Sequence, residues 1–597
     1  MSDKLVSRDQ ILPKDKWAIE DLYASDELWK ADYEYVENAL EKIDGYKGKL
    51  GLEIELFKGF IKIYKEVSCR FERVYVYANE KMHEDTANEK YQQMASMAAG
   101  LETRLSTVTA FLEPEILSID ENVLNEYIAR DELAYLKQFI DNITRNKKHT
   151  LSEGEEKLLA MAGEMAGIPE NVFGMFNNAD IRFPKIEGEN GEEIEITHGR
   201  YTKLLESKDV RVRKAAFMGL YDTYKKSINT LGATYYGQLL TDCFYAKARG
   251  YESTMEMHLS RNNIPVEVYK NLINTVKKSL PLFHRYVALR KKALGVDELH
   301  MYDLYTPLVD NDKEVYEFDK ARETVENALK CMGEEYVGIL KEGFENGWID
   351  KYENRGKRSG AYSWGAYGTH PYVLLNYQGN LNSVFTLAHE MGHAIHTYYS
   401  SKTQDYIYAG YRIFVAEVAS TCNEALLINY LMDNTEDKKK QAYLINYYLE
   451  QFRGTLFRQT MFAEFEMIVH EKAMNNESLT AAQFNEIYYN LNKEYFGEDI
   501  IVDEEIAYEW ARIPHFYSPF YVYQYATGFS AAIAFAHNIL SGDEKCVEDY
   551  KGFLKAGSSK YPIDILKDAG VDMSKTQAIE SALQVFEKYL TRLEELI

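Results

Sequence analysis

Asn382-Ser383-Val384-Phe385-Thr386-Leu387-Ala388-His389-Glu390-Met391-Gly392-His393-Ala394-Ile395-His396 is the stretch around which the chain is organised. Val384, Leu387, Ala388, Met391 and Ile395 recur at three- and four-residue spacing, which predicts a helix with one buried stripe. Two histidines four apart on a helix are separated by about 40° around the axis, so His389 and His393 project from one face, one turn apart. Neutral imidazoles held this way are ready-made donors for Zn²⁺. Glu390 follows the first histidine, and from there its carboxylate can reach a water on the metal without being a ligand itself.

That pattern, H-E-x-x-H, is the arrangement of zinc-dependent peptide hydrolases. A catalytic zinc takes three protein ligands and keeps one open position. Two residues compete for the third place. His396 shares the histidine face but lies roughly 10 Å further along the axis than His389, too far for a straight helix to close around one ion. Glu417, in Phe414-Val415-Ala416-Glu417-Val418-Ala419-Ser420, sits in a second apolar helix and completes a His₂Glu set if the helices cross. Glu417 is the stronger candidate, because a lone acid in an apolar stripe is costly unless it binds something. His396 then becomes a neighbouring or substrate-facing group.

Composition narrows the class. The 597 residues exceed one compact core, so two or more lobes are expected. A net charge of -25 repels phosphate backbones and anionic membranes, which argues against nucleic acid and membrane surfaces as partners. Cys69, Cys243, Cys331, Cys422 and Cys546 are far apart with no C-x-x-C, and read as free thiols of a reducing compartment. The N-terminal residues carry no apolar signal core, and no apolar run spans a bilayer. Cytoplasmic location follows as the expectation.

With only 11 prolines, long 3.6-period segments point to an α-rich chain. Helices are expected over 26–45, 52–80 and 84–110, with Pro114 breaking the pattern. Ser152 with Glu155 forms a capping box. Residues 182–196 alternate around Asn190-Gly191 and predict a β-hairpin. The helical pattern restarts near 202, so the main boundary is placed near 200: a helical lobe over 1–200 ending in the hairpin, and a catalytic domain over 201–597. Further helices are expected over 208–229, 232–249, 266–295, 314–347, 412–432, 436–474, 480–494, 520–540 and 574–596, the last opened by Ser574 and Gln577. Short strands are expected near 361–377, and an exposed edge at 370–377 could pair with an extended peptide. Gly356-Lys357 is followed by Arg358, so it is no phosphate loop.

Several separated stretches together resemble peptidase family M3, the thimet oligopeptidase clan, and most closely its oligoendopeptidase F branch. They are Trp17 to Tyr23, Gly356 to Tyr362, His370 to Tyr377, the His389 motif with His396, Phe414 to Ser420, and His515 to Gly528. The resemblance implies a mainly α-helical, two-lobed molecule enclosing a deep substrate channel. It implies one Zn²⁺ per chain on His389, His393 and Glu417, and endopeptidase action on short unstructured peptides through a zinc-bound water activated by Glu390. It also places oxyanion donors in the last stretch, where His515, Tyr521 and Tyr525 are selected from a set that includes Tyr517 and Tyr523. Two other functions fit the same motif: a helical zinc carboxypeptidase, and a non-catalytic helical scaffold that binds peptides. Oligomeric state is not legible.

Overall fold

In the computed structural model, which describes residues 5–309 and 314–597, the described part is mainly helical, with five short strands in two small sheets. Packing groups the chain into two compact units, each assembled from three segments. The first comprises Met1–Lys148, Lys313–Tyr430 and Phe535–Gly570; the second comprises His149–Asp312, Leu431–Ala534 and Val571–Ile597. Neither has a boundary at residue 200.

The first unit begins with helices Asp26–Asp44, Ile54–Glu84 and Glu89–Thr109, close to the expected spans. Trp29, Tyr33, Val36, Leu40 and Ile43 bury one face of the first, the i, i+3/i+4 stripe expected of an amphipathic helix. Between the second and third helices, the Asn88 side chain accepts from the N–H groups of Lys90 and Tyr91 and starts a new helix. Pro114 breaks nothing: it lies in the first turn of Leu112–Ser118, where its missing N–H is not needed. The segment expected as one helix over 314–347 is two, Phe318–Ala328 and Gly333–Glu345. Gly333 at φ +85 takes the left-handed conformation that separates them.

A three-stranded sheet lies in the same unit. After the hairpin strands β1 (Lys185–Glu187) and β2 (Glu193–Glu195) of the second unit come β3 (Ile349–Asp350), β4 (Tyr362–Trp364) and β5 (Tyr372–Leu374). The order is β3-β5-β4, with Ile349 opposite Val373 in a parallel pair and Ser363 opposite Val373 in an antiparallel pair. β5 is therefore the central, fully buried strand, and the exposed edge expected at 370–377 does not exist. The partly exposed edge is β4. β3 has two residues, too few to show a period.

The histidine helix, Leu381–Thr403, opens on Asn380, whose side chain accepts from Ser383 N–H at 2.9 Å. Its stripe of Val384, Leu387, Ala388, Met391 and Ile395 is wholly buried. It packs closely on the next long helix, Ile413–Asp433. A Cβ at Gly392 would stand 2.6 Å from Ser420 Cα and 2.8 Å from the Ala419 carbonyl oxygen, so only glycine allows this approach. Asn423 fixes the register, donating to the Ala388 carbonyl at 3.1 Å and accepting from the Tyr336 hydroxyl at 2.8 Å. Gly392→Ala should force the helices apart, at a cost of about 1–3 kcal/mol of overpacking. Urea unfolding measures it; unchanged stability and zinc affinity would show that the contact yields freely.

In the second unit, helices Val210–Lys225 and Ile228–Ala248 match expectation, but the span 266–295 is split into Val266–Lys278 and Leu280–Leu294. Pro281 lacks the N–H to continue the ladder. The span 436–474 is near-continuous, Lys438–Gln451 running through a π turn at Phe452–Phe457 into Arg458–Met474. The capping boxes at Ser152/Glu155 and Thr480/Gln483 are formed. The one expected at Ser574/Gln577 is not: the Ser574 hydroxyl donates to Asp572 at 2.5 Å, and the helix starts at Gln577. The hairpin turns through five residues, with Gly188 N–H on the Glu192 carbonyl at 2.7 Å and Gly191 at φ +84.

Among the described residues no helix is long and apolar enough to cross a membrane, and all five cysteines are free.

Candidate metal centre

His389 and His393 leave the histidine helix one turn apart, and Glu417 comes from the first turn of Ile413–Asp433. Glu417 Oε2 lies 3.3 Å from His389 Nε2 and 3.4 Å from His393 Nε2. The three ligand atoms lie within 4.8 Å of one another, the one such group of metal donors among the described residues. Ligands at about 2.0–2.1 Å around a tetrahedral ion sit about 3.3 Å apart, so two nitrogens and one carboxylate oxygen fit Zn²⁺. The Ser420 hydroxyl donates to Glu417 Oε2 at 3.3 Å and steadies it.

Glu424 was not anticipated from the sequence. Its Oε1 bonds His389 Nδ1, which turns Nε2 toward Glu417 and fixes the tautomer. The signal was available: Glu424 follows Glu417 by seven residues, two helical turns, so both acids share one face. Burial disfavours a charged His389 ring, but Glu417 and Glu424 outweigh it and raise its pKa to about 10. Glu417 is in turn held well below the carboxylate range: burial raises it, and the hydrogen bonds from His389 and His393 win. A site that holds a proton between two acids so firmly is also one that favours a cation. Glu424→Ala should weaken zinc binding by roughly 10–100-fold. Competition against a chromophoric chelator reads this directly, and an unchanged affinity would leave Glu424 without an orienting role.

Glu390 is 7% exposed, and burial raises its pKa against the pull of His389 and His393. A carboxyl raised in this way is a stronger base when ionised. His396 is outside the cluster. It is buried, stacked 3.8 Å from the Tyr411 ring and 5.0 Å from Phe553, and burial lowers its pKa to about 3. It therefore serves as a neutral packing residue and does not face substrate.

His515, Tyr521 and Tyr525 form a group of their own in the second unit. The His515 ring lies parallel to Tyr521 at 5.9 Å and edge-on to Tyr525 at 5.9 Å, with 5.5 Å between the tyrosines. All three are half-buried, whereas Tyr517 and Tyr523 are buried. Tyr517 stacks on Phe173 and Tyr523 packs on Tyr269. Burial, reinforced by Arg458, lowers the His515 pKa and keeps its ring neutral. The turn before Tyr521 is strained, with Phe520 at φ +54 and its N–H on Glu466 Oε1 at 3.0 Å.

The sequence matches the model of Peptidase family M3 over residues 203–585 and that of Oligopeptidase F over residues 115–183. The chain belongs to peptidase family M3. Oligopeptidase PepF of Bacillus subtilis is 49% identical over 597 residues, covering 100% of this chain and 89% of that protein. A crystal structure of oligoendopeptidase-F from Enterococcus faecium is 39% identical, with a TM-score of 0.75 over 96% of this chain and 99% of that one. A peptidase structure from Chlamydophila abortus is 34% identical, with a TM-score of 0.95 over 100% of both chains. The M3 chain described here is thus a metallo-oligoendopeptidase acting on peptides. Its two family matches leave residues 184–202, which include the hairpin, between them.

Proposed function

We propose that this M3 peptidase is a zinc enzyme that cuts internal bonds of short unstructured peptides in the cytoplasm. His389, His393 and Glu417 hold the ion, and Glu390 is the catalytic base. The convergence of both histidine Nε2 atoms on one Glu417 oxygen carries this reading. Zinc bound there supplies a Lewis acid that polarises the scissile carbonyl and acidifies water. Glu390 takes a proton from the attacking water and returns it to the leaving amine. His515, Tyr521 and Tyr525 are the donors for the oxyanion of the tetrahedral intermediate, their N–H and O–H groups being the half-exposed ones of that stretch. The β4 edge offers backbone groups to an extended peptide, a contact blind to side chains. The division near residue 200 stands as a proposal for the domain boundary, since the two family matches fall on either side of it.

One assay tests the function. A peptide blocked at both ends should be cleaved internally, a zinc chelator should abolish cleavage, and added Zn²⁺ should restore it. Products trimmed only from free C-termini would make the enzyme a carboxypeptidase; chelator-resistant cleavage would remove the metal from the chemistry.

A further inference from the structure

The second unit contains a small cavity that the proposed reaction does not use. Its walls include Arg453, Arg458, Arg512, Glu509, Tyr201 and Tyr305, and its volume is about 30 Å³. One water needs roughly 10–15 Å³ measured this way, so the cavity has room for about two oxygen atoms.

Charge is unbalanced around it. Arg458 and Arg512 both donate to Glu509 Oε1, at 2.7 and 3.0 Å, while the Tyr488 hydroxyl donates to Oε2 at 2.6 Å. Arg453 donates to Glu450 Oε2 from Nε at 2.8 Å and from Nη2 at 2.6 Å, and Arg290 donates to Glu450 Oε1 at 2.8 Å. Among the described residues, four guanidiniums thus share two carboxylates, leaving two positive charges in excess. Arginine cannot relieve this by losing a proton, and each guanidinium has five N–H donors. Glu509 takes one from Arg458 and one from Arg512, and Arg512 Nε has no partner. Tyr305 reports the resulting field. Burial should raise its phenol, yet Arg458 and Arg453 lower it, with the Arg453 guanidinium 4.5 Å over the ring. Buried cations in such excess are stable when an anion completes the set.

The geometry points to a carboxylate-binding site in this cavity, with Arg453, Arg458 and Arg512 as its donors. Forked guanidiniums match a carboxylate's two oxygens, and the volume suits that group. Two sources carry this chemistry: the C-terminal carboxylate of a peptide, and a free small carboxylate. A terminal carboxylate is present on every linear peptide whatever its sequence, so binding it would recognise chain ends without side-chain preference. That source rests on the oligoendopeptidase reading; the free anion does not.

The test uses the full-length, metal-loaded enzyme and two peptides of one sequence, ending in carboxylate or in carboxamide. If the peptide end is the ligand, the amide should show a KM about 10-fold or more higher with kcat nearly unchanged. Arg458→Gln should shrink that ratio toward unity, and Arg458→Lys should restore part of it. Acetate is titrated separately in thermal unfolding of the wild type and both variants. Equal cleavage of the two peptides, with acetate raising the wild-type Tm and not that of Arg458→Gln, assigns the site to a free carboxylate. Equal cleavage with no effect of acetate overturns the site. Should Arg458→Gln fail to fold, the two wild-type arms still decide. If neither peptide is cleaved, the oligoendopeptidase reading fails, and the acetate arm alone judges the cavity.

Discussion

Glu390→Gln should keep its zinc and lose its hydrolysis. The substitution preserves size at a position only 7% exposed, so the buried stripe of the histidine helix is undisturbed. What disappears is the proton acceptor. General base catalysis is worth about 10²–10⁴-fold, and kcat should fall within or beyond that range while KM changes little. Metal content by elemental analysis should remain one per chain. Burial already penalises the ionised form of Glu390, so a neutral amide should leave Tm unchanged or slightly higher. A variant within tenfold of wild-type kcat would give the proton transfer to another group.

His389→Ala should lose both metal and activity. Its ring stands between two acids, Nε2 facing Glu417 and Nδ1 bonded to Glu424. Truncation deletes one ligand and leaves both carboxylates without that partner, so the loss of zinc affinity should exceed the roughly 10–100-fold expected for Glu424→Ala. Chelator competition and kcat/KM should fall together. Zinc bound at wild-type affinity in this variant would refute the ligand assignment. The two variants separate the tasks, one holding the ion without using it and the other unable to hold it.

Much of this centre was legible because a helix converts spacing into direction. Four residues between histidines fix a shared face, and an acid inside the apolar run from Phe414 to Ser420 identifies Glu417. Glu424 was missed because the search stopped once the ligand set was complete, although the same periodicity marks it. The closeness of the two helices at Gly392 depends on a three-dimensional contact that no spacing rule contains. Strands of two or three residues carry too little pattern to say which is central, so β5 was mistaken for an edge. Among the tyrosines after His515, composition could not separate packing from access; burial of Tyr517 and Tyr523 does. Segment order also hid the threading of the two units, because contiguous sequence suggests contiguous domains.

The segment Phe535–Gly570 returns to the unit that carries the metal ligands. Phe553 packs on His396, and the Lys555 carbonyl accepts from Thr403 Oγ1 and Gln404 Nε2, both at 2.8 Å. A nascent chain therefore displays every ligand more than a hundred residues before translation supplies the piece that covers the far side of their helix. Maturation waits for the ribosome to finish, and an unfinished polypeptide, itself the kind of pliable strand such an enzyme digests, does not yet carry the finished support of the blade.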